Sequence, residues 1–286
     1  MASFSLIGAA GYIAPRHLRA MHRLGHTLVA AFDPVDAGEA VRAYFPDARI
    51  FSSFDAFVSS FQENPTEWVS ICSPNQYHRT QIEWALQQGV KVICEKPLVM
   101  EPSALEGLAA LEREGGGRVF TVLQLRLLEE VQELKRMVEL AGRQDHEVVI
   151  EHIAPRSDAY FASWKGDAVQ SGGIVTNIGI HLFDVLIWVF GPVEAILNAE
   201  ITERRASGVL QLQQARVRWR LSVDAADLPE GTSGFYRRLT VDGKVVLMEG
   251  GLEQLHDRFY VQALEGKAPG IEEARPSIVL CKQLMG

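Results

Sequence analysis

Three short stretches of this sequence combine residue types that can move protons or hold a charged ligand. In the first, an apolar run, Val92-Ile93-Cys94, ends in Glu95-Lys96-Pro97. Two charged side chains at the exit of a buried strand are costly unless they are paired or used. A lysine that loses its hydration has a lowered pKa and can take or relay a proton. A plain ion pair at a strand exit is the competing reading. In the second stretch, Ser73-Pro74-Asn75 precedes His78 at the end of another apolar run, which is also how an ordinary turn and helix start would look. In the third, a double glycine, Gly172-Gly173, leads into Asn177 and His181, four residues apart. That spacing puts them on one side of a helix with Asp184, among the apolar Leu182, Phe183, Leu186 and Ile187. A lone histidine there would be a core residue; paired with asparagine beside two glycines it reads as part of a site.

A fourth stretch suits a dinucleotide. Gly8-Ala9-Ala10-Gly11-Tyr12-Ile13-Ala14 follows a short apolar strand and opens a helix. It is one residue longer than the usual G-x-G-x-x-G, with Ala14 at the last small position. Small residues let the backbone approach a pyrophosphate, and the N–H groups of the helix start face the anion. Asp33 closes the next strand, where a carboxylate can accept hydrogen bonds from an adenosine ribose and repel a 2′-phosphate. NAD is therefore expected over NADP; a helix cap is the alternative role for Asp33.

The elements that must position these groups follow from periodicity. Strands are expected at Phe4–Gly8, Thr27–Asp33, 49–51, Trp68–Ser73, Val90–Cys94 and Arg118–Leu123, with helices between them. Such alternation implies a parallel, doubly wound sheet with right-handed crossovers, so residues 1–123 are expected to form a Rossmann domain. After Gln124 the pattern changes. A charged helix, 129–140, precedes strand-like stretches at 147–153, 195–203, 209–220, 237–241 and 244–249. The alternation through 209–223 and the hairpin turn Val241-Asp242-Gly243-Lys244 imply an open, mostly antiparallel sheet. Residues 124–286 are thus expected to form an α+β domain. The free face of such a sheet suits subunit contacts, so a homo-oligomer is expected.

Composition narrows the classes. Hydrophobic content of 47% and charged content of 22% fit a globular protein. A net charge of −8 argues against a nucleic-acid partner. No apolar stretch was expected to span a bilayer, and the N-terminus lacks the pattern of a signal peptide. Three cysteines, Cys72, Cys94 and Cys281, fit buried thiols in the cytoplasm better than a disulfide framework. No cluster with metal-ligand spacing is apparent, so no metal is expected.

The order of glycine-rich turn, Ser-Pro-Asn-x-x-His, Glu-Lys-Pro and Gly-Gly…Gly-x-His-x-x-Asp resembles the Gfo/Idh/MocA oxidoreductase family. Asn177 stands where members usually carry aspartate. With Gly-Ala-Ala-Gly-Tyr-Ile-Ala-Pro-Arg-His17 and Ser163-Trp-Lys-Gly-Asp167, this is similar to a subgroup that makes bacterial O-antigen sugars. That subgroup oxidises the C3 hydroxyl of UDP-N-acetyl-D-glucosaminuronate. The resemblance implies Lys96 and His181 as the acid/base pair, with the base not assignable between them. It implies cofactor contacts from Gly8, Gly11, Tyr12, Ile13, Asp33, Ser73, Pro74, Asn75, His78, Glu95, Lys96, Gln124, Arg126 and Trp164. Substrate contacts would come from Lys96, Arg156, Tyr160, Lys165, Asn177 and His181, with Lys165 facing a diphosphate or carboxylate. Of homo-oligomers a tetramer is favoured, and the resemblance allows reoxidation of NADH by 2-oxoglutarate. A family dehydrogenase for a small sugar or cyclitol, and a non-catalytic NAD- or sugar-binding relative, are the competing functions.

Overall fold

The structure is a computed structural model that describes residues 1–248 and 254–286. Strands and helices alternate at first: β1 (Ser3–Ile7), α1 (Ala14–Arg23), β2 (Thr27–Phe32), α2 (Gly38–Arg42), β3 (Arg49–Phe51), α3 (Phe54–Glu63), β4 (Trp68–Ile71), α4 (Asn75–Gln87), β5 (Lys91–Cys94), α5 (Ala104–Gly115) and β6 (Val119–Thr121). A 3-10 turn, Gln124–Leu127, leads into α6 (Glu129–Ala141) and β7 (His146–Ile153). Short helices α7 (Asp158–Phe161) and α8 (Ala168–Ser171), then a π-turn, Val175–Gly179, precede α9 (Ile180–Phe190). The chain continues through β8 (Val193–Ile201), β9 (Arg205–Leu212), β10 (Ala215–Ser222), β11 (Tyr236–Val241) and β12 (Lys244–Val246), and ends in α10 (Leu255–Leu264) and α11 (Ile271–Met285).

Two compact units result. The first comprises Met1–Val99, Ser103–Val122 and Glu253–Glu273; the second comprises Met100–Pro102, Leu123–Leu252 and Ala274–Gly286. The expected ranges were 1–123 and 124–286, and the units differ from them in placing α10 with the first. Local pattern does not reveal the membership of α10, because α10 lies more than a hundred residues away along the chain. Its Phe259 and Tyr260 are fully buried, and Tyr260 packs its ring against Phe4 of β1.

The first unit holds a parallel sheet of six strands in the order β3-β2-β1-β4-β5-β6. Phe4, Leu6, Val69, Ile71, Val92 and Ile93 are buried because helices cover both faces of such a sheet. The order reverses direction at β1 and β4, the topological switch point where open α/β sheets bind ligands beyond their carboxyl ends.

The second unit holds a mixed sheet in the order β12-β11-β7-β10-β9-β8. All its pairings are antiparallel except β7 with β10. The expected stretch 209–220 is in fact two strands, β9 and β10. Leu212 pairs with Ala215 around Gln213-Gln214, whose N–H groups donate to Pro192 and Phe190 carbonyls. That turn has no glycine, proline or asparagine, so the alternation reads through it unbroken. The hairpin at Asp242-Gly243 has the positive φ values, 49° and 78°, that this turn demands. The expected strand 244–249 ends at Val246, and its last residue, Glu249, lies outside the described residues.

Alternate residues of β10, Val217, Trp219 and Leu221, are buried while Arg216 and Arg218 are exposed, and β7 exposes Glu147 beside buried Val148 and Ile150. Helix α9 covers the buried face, with Phe183 edge-on to Trp219. Gly179 permits that approach: a Cβ there would lie 2.7 Å from Leu221 and 2.8 Å from the Phe183 ring. The run Ala168–Phe190 is long and apolar enough to cross a membrane, with a mean hydropathy of 1.7, which the sequence reading did not anticipate. However, 72% of its most apolar window is buried inside the protein, as a core helix would be.

Candidate functional site

In the first unit the groups with chemical potential gather at the carboxyl ends of β1, β4 and β5. Gly8 follows β1 at φ 85°, and a Cβ on it would lie 2.5 Å from the Cys72 carbonyl carbon and collide with the backbone of Ser73. Only glycine lets the first turn pack against the Ser73 loop. A Cβ on Gly11 would lie 3.1 Å from the Gly8 carbonyl oxygen, so this turn is closely folded and free of side chains. Helix α1 begins at Ala14 with Pro15 in its first turn, and the Ala14 and Arg16 N–H groups donate to the Gly11 and Ile13 carbonyls at 3.1 and 3.0 Å. The Asp33 carboxylate accepts from the Ala10 N–H at 2.9 Å and from the Val35 N–H at 2.9 Å. It ties the glycine turn to the end of β2. Bare backbone, a helix start and an acid at the next strand end fit a dinucleotide's pyrophosphate and ribose. Tyr12 is 78% exposed beside this turn, and Ile13 precedes the helix.

The Ser73 loop is braced from behind. His78 is fully buried, its Nδ1 lying 2.7 Å from the Pro97 carbonyl and its Nε2 2.9 Å from the Ser73 carbonyl. One imidazole thus joins the Ser-Pro-Asn loop to the Glu-Lys-Pro loop. Burial pushes the His78 pKa down, against the two carbonyls. The Ser73 hydroxyl donates to Gln81 Oε1 at 2.6 Å, Pro74 immediately precedes α4, and Asn75 is buried in its first turn. The Lys96–Pro97 bond is cis.

Glu95 is 7% exposed, and its Oε1 lies 3.0 Å from His17 Nε2 and 3.2 Å from His256 Nε2. Its Oε2 accepts from the Lys96 N–H at 3.3 Å. Tyr260 OH lies 2.9 Å from His17 Nδ1 and 2.7 Å from Ser70 Oγ. Burial acts to raise the Glu95 pKa, but the hydrogen bonds from the two histidines outweigh it and hold the carboxyl well below the usual range. Burial lowers the His17 pKa despite Glu95. The sequence reading missed His256, Tyr260, Ser70 and Gln81 entirely and noted His17 only as part of a motif. The His256/Tyr260 spacing of four on an amphipathic helix was the one available signal, and it is common in core helices.

The second unit gathers the remaining candidates. Arg126 makes a two-pronged contact with Asp184, Nε to Oδ2 at 2.8 Å and Nη2 to Oδ1 at 2.6 Å, and stacks over Trp188. Its side chain is 11% exposed and that of Asp184 3%, and Gln124 is buried in the same turn. The guanidinium expected to reach toward cofactor is thus committed to joining the 3-10 turn and α9. Asn177 and His181 do not sit on one regular helix: Asn177 lies in the π-turn, and His181 and Asp184 follow in α9. A π-turn widens the helix and re-aims the side chains around it, a device frequent at functional sites. Asn177 Nδ2 donates to Tyr160 OH at 2.8 Å, which fixes the amide. The Arg156 guanidinium lies over the same Tyr160 ring, 5.4 Å from its centre.

A 240 Å3 pocket in this unit is lined by Tyr160, Phe161, Lys165, Gly173, Ile201 and Glu203, among others. Arg204 lies 4.1 Å from the Phe161 ring centre, and Lys165 5.8 Å from that of Trp164. Burial, and then the nearby Arg156 charge, lowers the Lys165 pKa. Lys165 is half-buried, whereas Arg156 and Arg204 are exposed; a partly desolvated cation beside aromatic rings suits a carboxylate or phosphate.

Comparison with known proteins gives a consistent picture. Residues 2–123 match the family model described as "Oxidoreductase family, NAD-binding Rossmann fold", and residues 148–244 match its "C-terminal alpha/beta domain". The structure resembles the WlbA (WbpB) dehydrogenase from Thermus thermophilus in complex with NAD and alpha-ketoglutarate, with a TM-score of 0.95 and 38% identity, covering 100% of this chain and 95% of that one. The same enzyme in complex with NAD and UDP-GlcNAcA gives a TM-score of 0.94 at the same identity and coverage. Among curated proteins, a putative UDP-kanosamine synthase oxidoreductase subunit of Amycolatopsis mediterranei is 27% identical over 208 residues, 71% of this chain and 56% of that protein. An inositol 2-dehydrogenase of Leifsonia xyli is 27% identical over 204 residues, 69% of this chain and 56% of that protein. The chain therefore matches little more than half the length of these two curated relatives.

Proposed function

The chain belongs to the Gfo/Idh/MocA oxidoreductase family, with its NAD-binding Rossmann fold, and from that premise we propose that it oxidises the C3 hydroxyl of UDP-N-acetyl-D-glucosaminuronic acid with NAD. The observation that carries this reading is the full-length likeness, at 38% identity, to an enzyme solved with NAD and UDP-GlcNAcA together. The pocket lined by Lys165 and Tyr160, with Arg156 beside them, adds the cationic and aromatic character that an anionic nucleotide sugar needs.

NAD supplies the hydride acceptor when bound, so no metal is needed to turn the alcohol into a ketone. Gly8, Gly11, Tyr12 and Ile13 cradle the pyrophosphate and Asp33 takes the adenosine ribose. Ser73, Pro74, Asn75, His78, Glu95, Gln124 and Trp164 contact or brace the nicotinamide side, while Arg126 holds α9 through Asp184. Lys96 and His181 share the proton of the C3 hydroxyl: as the C3–H bond is lost with its electron pair, the O–H proton passes to one of them and a C=O bond forms. Asn177 hydrogen-bonds the sugar without adding a second base. The products are the 3-oxo uronate, NADH and a proton. Reoxidation of NADH by 2-oxoglutarate is part of the proposal, supported by the relative solved with alpha-ketoglutarate.

The deciding experiment measures NADH formation with the UDP-uronate, myo-inositol and free sugars. Turnover confined to inositol or a free sugar would replace the nucleotide-sugar reading with the small-cyclitol one, for which the inositol dehydrogenase relative stands. Calorimetry should show NAD binding at least tenfold more tightly than NADP, about 1.4 kcal/mol, because Asp33 repels a 2′-phosphate. Equal affinities would remove that role from Asp33.

The proposed assembly is a homotetramer. Strand β8 is exposed or half-exposed along its whole length, and the outer sheet face carries Arg216, Arg218 and Glu147. Light scattering that returned a monomer at working concentration would overturn this. A cytoplasmic setting suits three buried cysteines held as thiols.

A further inference from the structure

The buried cluster of His17, Glu95, His256, Tyr260 and Ser70 has no part in the proton chemistry above, yet it is built with care around a single carboxylate. Both histidine Nε2 atoms approach the same Glu95 oxygen, at 3.0 and 3.2 Å. For both to be hydrogen bonds to a carboxylate, each ring must carry its proton on Nε2. His17 Nδ1 is then a lone pair, which the Tyr260 hydroxyl fills from 2.9 Å, and the Ser70 hydroxyl in turn donates to Tyr260 from 2.7 Å. The donors run in one direction, from Ser70 through Tyr260 and His17, and end on Glu95. His256 Nδ1 is buried with no hydrogen-bond partner, so a second proton on that ring would go unsatisfied. The arrangement that satisfies the most groups is two neutral imidazoles around one ionised glutamate.

This is an unusual way to hold a buried carboxylate. Arginine or lysine would solvate and neutralise it; neutral imidazoles solvate it and leave its charge intact. The groups facing it do not cancel that charge by contact. Cys72 and Cys94 stay protonated because burial, and then Glu95 itself, pushes both thiols well up. Burial, then Cys72, pushes Tyr260 well up against the Ser70 hydrogen bond, with Glu95 adding to the rise. His78 is the remaining imidazole near it, and Arg16 and Lys96 are the nearby cations on α1 and after β5. Glu95 lies at the carboxyl end of β5, the edge of the sheet where the nicotinamide end of the cofactor is placed by the proposed function.

We propose that the His17–Glu95–His256 cluster is a fixed buried anion that biases the bound nicotinamide cofactor toward its oxidised form. The reason is a difference in charge: the nicotinamide ring is cationic in NAD and neutral in NADH, so a nearby desolvated carboxylate stabilises only the former. Such a bias makes hydride transfer from the sugar less downhill. It makes the return of that hydride from NADH to a 2-oxo acid more downhill, as an enzyme that recycles its own cofactor requires. The stoichiometry of hydride transfer is unchanged. The inference rests on NAD being the cofactor and not on the identity of the sugar.

The test is the ratio of dissociation constants for NAD and NADH, measured by calorimetry on the intact protein without substrate. Glu95→Gln keeps the shape and the acceptor oxygen but removes the charge; it should weaken NAD roughly tenfold and leave NADH within about twofold. A parallel loss for both forms would make Glu95 a structural brace, and an unchanged ratio would sink the proposal. Because the variant could fail to fold, its melting curve is recorded, and the unaltered protein provides a second arm. With Glu95 ionised and both imidazoles neutral throughout, its NAD-to-NADH ratio should be flat between about pH 5.5 and 8.5; a ratio that drifts toward NADH as the pH falls would show the cluster taking up a proton, on the carboxylate or on a histidine, and overturn the fixed anion. The two imidazoles and carboxylate could also hold a divalent metal. Stoichiometric zinc in the purified protein, lost in Glu95→Gln, would likewise overturn the proposal. Failure to bind either NAD or NADH would fall on the functional reading itself.

Discussion

Replacing Lys96 with alanine should lower kcat/KM for sugar oxidation by about 100- to 10,000-fold, the usual loss when a positioned acid/base group is removed. NAD affinity by calorimetry should change little, because the proposed pyrophosphate and ribose contacts come from Gly8, Gly11 and Asp33. Lys96→Arg should not restore the rate: a guanidinium keeps the charge but does not release its proton near neutral pH. His181→Asn should produce a loss of the same order. If the two side chains act as one proton-handling unit, the double variant will be scarcely worse than the worse single one. The pH profiles of the two single variants assign the base, since the one that removes the acid limb of kcat/KM has lost it. Turnover that survived Lys96→Ala would end the catalytic assignment.

The second large effect is on stability. Arg126→Ala should destabilise the protein by about 3–5 kcal/mol, because it strands a buried carboxylate. Asp184 is 2% exposed, and both of its oxygens are taken by Arg126. Burial already raises the Asp184 pKa against those hydrogen bonds, and their loss would raise it further. A carboxyl whose folded pKa is raised favours folding below its unfolded pKa and loses that advantage as the pH climbs through the folded value. The deficit of Arg126→Ala should therefore shrink in acid and be largest near neutrality, as read by urea melts at several pH values. Replacing both residues with leucine should cost much less than either alanine variant, since a buried ion pair is often matched by apolar packing. A loss below about 1 kcal/mol for Arg126→Ala would mean that water reaches the pair.

Much of the candidate site was legible because its motifs are local. The glycine turn, Asp33, Ser73-Pro74-Asn75, Glu95-Lys96-Pro97 and the Asp242-Gly243 hairpin each express a backbone need that a few adjacent residues satisfy. The π-turn at Asn177 was not legible: Val175 to Gly179 has the composition of the helix around it, and the extra residue in the turn is chosen by packing against β10. The break between β9 and β10 escaped for a related reason. Gln213 and Gln214 turn the chain by donating to Phe190 and Pro192 carbonyls at the end of α9, not through any turn preference of their own.

Glu95 shows where the boundary lies. The sequence by itself determined that a carboxylate and an amine leave a buried strand together, and that such a pair must be paired or used. Only the tertiary structure decided how. His17 stands 78 residues before Glu95 and His256 stands 161 after it, and they meet on one oxygen atom because α1 and α10 pack together beside that strand end. Local preference acts over a few bonds and so is written in adjacent residues; the partner of a buried charge is set by which helices the whole chain closes against it.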